Sequence, residues 1–302
     1  MTWEDDFFTL FRGRGDCYGS WEGGCIKQPL TRERYKYHLT NGPHIGVYPC
    51  VTINGIAQCV WSCSDIDYPD PADAQSLCAA LQAFGLTPWL EQTRKGWHVW
   101  VFATGLTPAS DMRDMFLVAH QIIEVPPKEV NPKQTTLTVG QVGNYVRLPY
   151  PAGFDATDRR VIADTGGPLD VFLTPEDFVT QAIATRATPA EIAEVASYYT
   201  PPPAPVLDNM REASGDVMVA ASMLTPLGKT IYRNGPAEWR DRSTAVTHLA
   251  HECFKAGLSP QDALLVLQEA DSRWGKFMQR GAAGEAEILK LVQRAYGSIP
   301  ST

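Results

Sequence analysis

Two carboxylates one residue apart, Asp65 and Asp67 in Trp61-Ser-Cys-Ser-Asp-Ile-Asp67, precede by about thirty positions a histidine in Arg94-Lys-Gly-Trp-His-Val-Trp-Val-Phe102. In an extended strand alternate side chains share a face, so Asp65 and Asp67 emerge together, roughly 6–7 Å apart, while Ile66 points away. That separation suits two divalent cations about 3.5–4 Å apart that clamp a triphosphate during in-line displacement. An Asp-x-Asp pair alone is common on solvated strand ends. Beside a hydrophobic strand it carries more weight, because two buried like charges are costly unless a cation compensates. Arg94 and Lys95 supply flexible cations, Gly96 permits close backbone approach, and His98 can donate to a phosphoryl oxygen. A lone strand histidine is usually structural, but the paired carboxylates at this spacing favour a functional one.

The elements that must position these residues follow from periodicity. Ile56 to Asp67 has strand character, broken by Pro69-Asp-Pro71. A helix is expected over Ala72 to Phe84, with Ala74, Leu77, Cys78, Leu81 and Phe84 at helical spacing and Gly85 as its stop. Trp89–Gln92 and Trp97–Phe102 read as strands, Ala109–Ile123 as a second helix, and Tyr145–Leu148 as a last strand. The order is that of a split βαβ, or RRM-like, α+β sheet with helices on one face. Asp65, Asp67 and His98 would stand on the free face, and Ile66, Val99 and Val101 on the covered one. Thr174-Pro and Thr188-Pro read as helix starts, and Thr200-Pro-Pro-Pro-Ala-Pro205 as a stiff linker. Beyond it, amphipathic stretches over Asp241–Phe254, from Ser259-Pro-Gln-Asp262, and over Glu285–Tyr296 predict a small C-terminal helical bundle. The expected division is a catalytic domain at 1–199, a proline-rich linker at 200–210 and a helical domain at 211–302.

The 302 residues are 44% apolar and 20% charged, enough for a full core and two domains. A net charge of -8 argues against nonspecific coating of nucleic acid, which needs a broad positive field, but leaves room for a local basic groove. No basic leader and no apolar run of about 18 residues is present, so a soluble cytoplasmic protein is expected. The 7 cysteines include no CxxC pair and predict reduced thiols. Cys59 and Cys63, four apart in a strand, would share a face, a conceivable but unpartnered zinc half-site. Gly228-Lys-Thr230 resembles the end of a Walker A loop, but Met223 stands where that loop needs its first glycine.

The chain resembles the archaeo-eukaryotic primase superfamily, whose members carry a DxD motif on one strand and an SxGxH-like motif on another. Further blocks extend the likeness: Phe11-Arg-Gly-Arg-Gly-Asp-Cys-Tyr18, His38-Leu-Thr-Asn-Gly42, Ile45-Gly-Val-Tyr-Pro49, Glu129-Val-Asn-Pro-Lys-Gln134 and Gly143-Asn-Tyr-Val-Arg-Leu-Pro149. Over roughly residues 8–165 they look like the primase-polymerases of phages, plasmids, TOTE conflict systems and CRISPR-associated loci. The resemblance implies primer synthesis and extension on a single-stranded DNA template from nucleoside triphosphates, with two Mg²⁺ or Mn²⁺ ions. By position, Asp65 and Asp67 would be metal ligands and His98 a triphosphate contact, with Arg94, Lys95, Lys133, Asn144 and Arg147 suited to nucleotide or phosphate binding. Many members contribute a third acidic ligand from a late strand. Here that block offers Asn144, and Glu129 is the alternative. The tail, with Arg240, Arg242, Arg273, Lys276 and Arg280, is similar to helical domains that follow such cores and often hold template or initiating nucleotide. No helicase domain is evident, so duplex opening would fall to a separate helicase or to a longer parent chain. Two rivals remain: a noncatalytic single-strand-binding initiator, with Trp100 and Phe102 as stacking surfaces, and a metal-dependent nuclease.

Overall fold

A computed structural model describes residues 2–138, 140–201, 210–235 and 242–297. The chain divides into two compact units, Met1–Thr200 and Pro201–Thr302. The expected linker falls almost wholly outside the described residues, as do Arg240 and Asp241.

The first unit runs α1 (Trp3–Leu10), β1 (Tyr18–Gly19), β2 (Cys25–Ile26), α2 (Arg32–Thr40), β3 (Gly46–Val47), β4 (Val51–Ile53), β5 (Ile56–Ile66), α3 (Ala72–Ala83), β6 (Trp89–Gln92), β7 (Trp97–Pro108), α4 (Ala109–Ile122), β8 (Glu129–Asn131), β9 (Val146–Arg147), α5 (Pro175–Ala184) and α6 (Pro189–Ala196). Its larger sheet is antiparallel in the order β4-β5-β7-β6, with β8 also pairing β5. Two interleaved crossovers, β5-α3-β6 and β7-α4-β8, make the split βαβ arrangement expected from sequence. Its fourth strand differs from expectation. The closing strand is β8, whereas the predicted Tyr145–Leu148 supplies β9 to a second sheet ordered β2-β1-β3-β9. Only three residues of β8 pair, too short a run to show an alternating pattern.

Both faces of the large sheet are covered, so no face is free. On one side Leu77 and Leu81 of α3, Met112, Met115 and Phe116 of α4, and Ile192 of α6 pack on Val99, Val101 and Val130. On the other, Phe7 of α1, Tyr35 of α2 and Phe178 of α5 pack on Trp61, Cys63, Trp100 and Phe102. Phe11 stands edge-on to both Trp100 and Phe102, its ring centroid 5.1 Å from each. These two aromatics are therefore core, which overturns their reading as exposed stacking surfaces. The zinc half-site falls as well. Pairing between β5 and β7 slips between Cys59 and Trp61, and across that irregularity Cys59 joins the first core and Cys63 the second. All seven cysteines are free thiols.

The small sheet is built around one ring. A Cβ at Gly19 or Gly46 would collide with the ring of Tyr145, so two glycines on adjacent strands leave the space in which that tyrosine lies. Helix starts behave as predicted: Thr174 and Thr188 accept hydrogen bonds from the backbone N–H of Asp177 and Glu191, each at 3.2 Å.

The second unit contains α7 (Val217–Met223), α8 (Pro226–Asn234), α9 (Arg242–Lys255), α10 (Pro260–Trp274), a short 3-10 turn at Met278–Arg280, and α11 (Ala282–Tyr296). Their apolar stripes meet in a separate core that includes Ile231, Leu249, Cys253, Val266, Leu267, Ile288 and Val292. Two tail cations serve this packing. Arg242 Nη1 donates to the carbonyls of Trp274 and Gly275 at 3.0 and 2.9 Å, and Arg273 pairs with Glu269 at 2.9 Å. Among the described residues no helix is long and apolar enough to cross a membrane.

Candidate active site

Strand register assembles the site. Asp65 on β5 lies directly opposite His98 on β7 and, on its other side, Glu129 on β8; His98 in turn lies opposite Glu91 on β6. Directly opposed residues project to the same face, so Glu129, Asp65, His98 and Glu91 form one row across four strands. Asp67 follows just past the end of β5. The row opens into a cavity of about 550 Å³ that is also lined by Asp67, Arg94, Lys95, Asn131, Asn144, Tyr145, Arg147 and Arg159. Seven of the eight residues expected from sequence thus meet at one place. The eighth, Lys133, is not in the lining; its Nζ pairs with Glu129 Oε2 at 2.6 Å.

Glu91 anchors the row from below. It is fully buried and accepts from His98 Nδ1 at 3.0 Å and Trp100 Nε1 at 2.8 Å, and it ion-pairs with Arg159. Burial alone would raise its carboxyl, but Arg159, His98 and the Trp100 N–H outweigh this and hold it below the usual range. An ionised carboxylate only accepts, so His98 Nδ1 carries the proton of that bond. The ring is thereby fixed with Nε2 toward the cavity, 3.6 Å from Asp65 Oδ1. Arg159 also donates to the Arg147 carbonyl at 3.0 Å, which ties the large sheet to β9.

The carboxylates at the mouth differ in environment. Burial, reinforced by Asp67 and Glu129 and opposed by His98, pushes Asp65 above the usual carboxylate range. A hydrogen bond and ion pair from Lys128 draw Asp67 below it. Three side-chain atoms around the cavity are buried without a hydrogen-bond partner: Asn131 Oδ1, Arg147 Nε and Arg159 Nε. An orphaned acceptor beside three carboxylates suits a hard cation, and orphaned guanidinium donors suit an anion. The donors Asp65, Asp67, Glu129 and Asn131 are all oxygens, the chemistry that Mg²⁺ or Mn²⁺ prefers. Among the described residues no three of the carboxylate, thiol and imidazole groups converge into a ready-made ligand cluster. Of the two alternatives for a third acidic ligand, Glu129 stands directly across from Asp65, while Asn144 Oδ1 already accepts from Gln134 at 3.2 Å.

Sequence reasoning missed Glu91, Lys128 and Arg159. Glu91 left one trace: it sits in a short apolar strand whose hairpin register puts it against His98. Arg159 lies 61 residues beyond His98, in a segment with no periodicity to read.

Residues 25–164 match the family model described as the archaeo-eukaryotic primase domain of TOTE conflict systems. No curated protein matches the chain. The matched segment contains β2 through β9 and all eight residues singled out from the sequence, and only Arg159 and its neighbours reach its far end. Asp65 near the end of its strand with Asp67 just past it, a histidine on the adjacent strand and a cation-lined cavity between two sheets thus lie within the segment, residues 25–164, that is similar to the archaeo-eukaryotic primase domain of TOTE conflict systems, a domain of nucleotidyltransferase-like enzymes.

Proposed function

We propose that the chain is a DNA primase-polymerase that makes and extends primers on single-stranded DNA from nucleoside triphosphates. The observation that carries this reading is the Glu129–Asp65–His98–Glu91 row opening onto a cavity walled by Arg94, Lys95, Arg147 and Arg159. Asp65 and Asp67, with Glu129 as the third carboxylate, would hold two divalent ions, which supply an activated 3′-hydroxyl and neutralise charge on the departing pyrophosphate. His98, braced by Glu91, presents Nε2 to the triphosphate. Its Nδ1 keeps the bond to Glu91 while Nε2 faces the cavity where the phosphates would lie. Arg94, Lys95 and Arg147 take the remaining phosphate charge, and the orphaned Nε of Arg147 is a donor ready for it. Lys133 acts at one remove, by pairing with Glu129. A protein of net charge -8 can still hold polyanions here because its cations are gathered where the substrate sits. We infer likewise that residues 211–302 are the accompanying helical domain.

The test is primer synthesis and extension on single-stranded DNA with Mn²⁺ or Mg²⁺. The wild-type chain is expected to lengthen strands only when nucleotides and metal are both present, and Asp65→Ala with Asp67→Ala to abolish product. Product retained by the double variant would remove these carboxylates from the reaction. Strand shortening without nucleotides would make the protein a nuclease instead.

A further inference from the structure

A second cavity, of about 830 Å³, adjoins the first and shares Arg94, Arg147 and Arg159 with it. Its other walls include Trp21, His44, Arg160 and Phe172. Trp21 is 49% exposed, although it lies in a pocket. Its indole is backed by the His44 imidazole, with ring centroids 4.3 Å apart and planes 23° apart, and Arg147 approaches the ring to 5.4 Å while donating to the Trp21 carbonyl at 3.0 Å. Burial lowers the His44 imidazole to about 4, so it backs the indole as a neutral ring. The guanidinium of Arg159, itself only 8% exposed, has an Nε without a partner, and so has that of Arg147. An aromatic platform, half open and stiffened from behind, therefore sits beside guanidinium groups with unspent donors.

We propose that this second cavity seats the nucleobase of a nucleoside triphosphate, stacked on Trp21, while its phosphates lie against the arginines shared by the two cavities. The proposal rests on the nucleotidyl-transfer reading above and adds the residue that grips the base. Stacking on an indole accepts any base, because every base has a π face. The charge pattern favours a mononucleotide over a strand. Several arginines converge on one place, as a polyphosphate requires, whereas a strand spreads one charge per nucleotide. Asp155 and Asp158 on the same cavity would repel a continuing phosphate backbone.

Equilibrium binding to the full chain tests this, with ATP, inorganic tripolyphosphate and a ten-residue deoxythymidine oligonucleotide as probes. Trp21→Ala keeps the backbone carbonyl that anchors Arg147. It is expected to weaken ATP by about five- to 150-fold, the range of one lost base stack. Tripolyphosphate should bind as to wild type, and Trp21→Phe should restore most of the ATP affinity. Unchanged ATP affinity in Trp21→Ala overturns the proposal alone. Equal losses for ATP and tripolyphosphate also overturn it, since Trp21 would then act through Arg147. A loss confined to the oligonucleotide would make the platform a template contact and likewise end the proposal. A wild-type chain that binds neither ATP nor tripolyphosphate would bring down the nucleotidyl-transfer reading together with it.

Discussion

Glu91 shows how much a single buried side chain can organise. Its two oxygens serve three partners, so the position of His98, the seat of Trp100 and the path of Arg159 toward β9 all pass through one carboxylate. Replacing it by glutamine keeps the shape but leaves the Arg159 guanidinium buried without its counter-charge. Breaking a buried pair in this way typically costs about 3–5 kcal/mol. Glu91→Gln is therefore expected to lower the urea midpoint sharply and, by freeing the His98 ring, to reduce nucleotide incorporation about 10- to 100-fold at substrate saturation. A variant as stable as wild type would show that Glu91 is not the anchor described here. The residue-scale reading of Asp65, Asp67 and His98 needed only spacing. Glu91 needed the hairpin register that sets it opposite His98, because the composition of Trp89-Leu-Glu-Gln92 alone would equally suit a surface glutamate.

At the scale of elements, the docking of α2 against the segment after β9 depends on a neutral histidine. His38 is fully buried on α2, where its Nε2 donates to the Pro149 carbonyl at 2.9 Å and its Nδ1 accepts from the Ile45 N–H at 3.4 Å. Burial lowers it to about 4. Below an unfolded value of about 6.5 the unfolded chain takes up a proton that the folded chain refuses, so this contribution weakens as pH falls from about 6.5 to about 4 and is flat below that. The slope belonging to one such group is about 1.4 kcal/mol per pH unit. In chemical denaturation from pH 7 to pH 4.5, His38→Gln is expected to be less stable at pH 7 but to lose stability less steeply than wild type, by about that slope. Parallel curves would mean that His38 titrates alike in both states. The helices α3, α4, α5, α6, α9, α10 and α11 were readable from sequence because they rest on local periodicity and on Thr-Pro or Ser-Pro caps, whereas α1, α2, α7 and α8 were not named from it. The swap of β8 for the expected Tyr145–Leu148 was not, because a three-residue strand is held by its neighbour and not by its own composition.

At the scale of the molecule, two cores lie on the two faces of one sheet in Met1–Thr200, and a third lies wholly within the second unit. Each unit has the apolar interior that a domain needs to fold by itself. A fragment ending at Thr200 is accordingly expected to unfold cooperatively on heating and to keep the near-ultraviolet circular dichroism of its packed tryptophans. A fragment without a cooperative transition would show that the first unit depends on the second.

The sequence by itself singled out candidate residues for the chemistry, the βαββαβ order except for the identity of its last strand, and the helical character of the tail, from local periodicity and from motif blocks in fixed order along the chain. Tertiary structure alone decided that Glu129 and Glu91 flank the Asp65–His98 pair, that Trp100 and Phe102 are core, that Arg159 lines both cavities and that Trp21 lines the second. Those facts depend on which strands lie side by side and on what covers each face of the sheet, and such long-range pairings leave no local period in the chain.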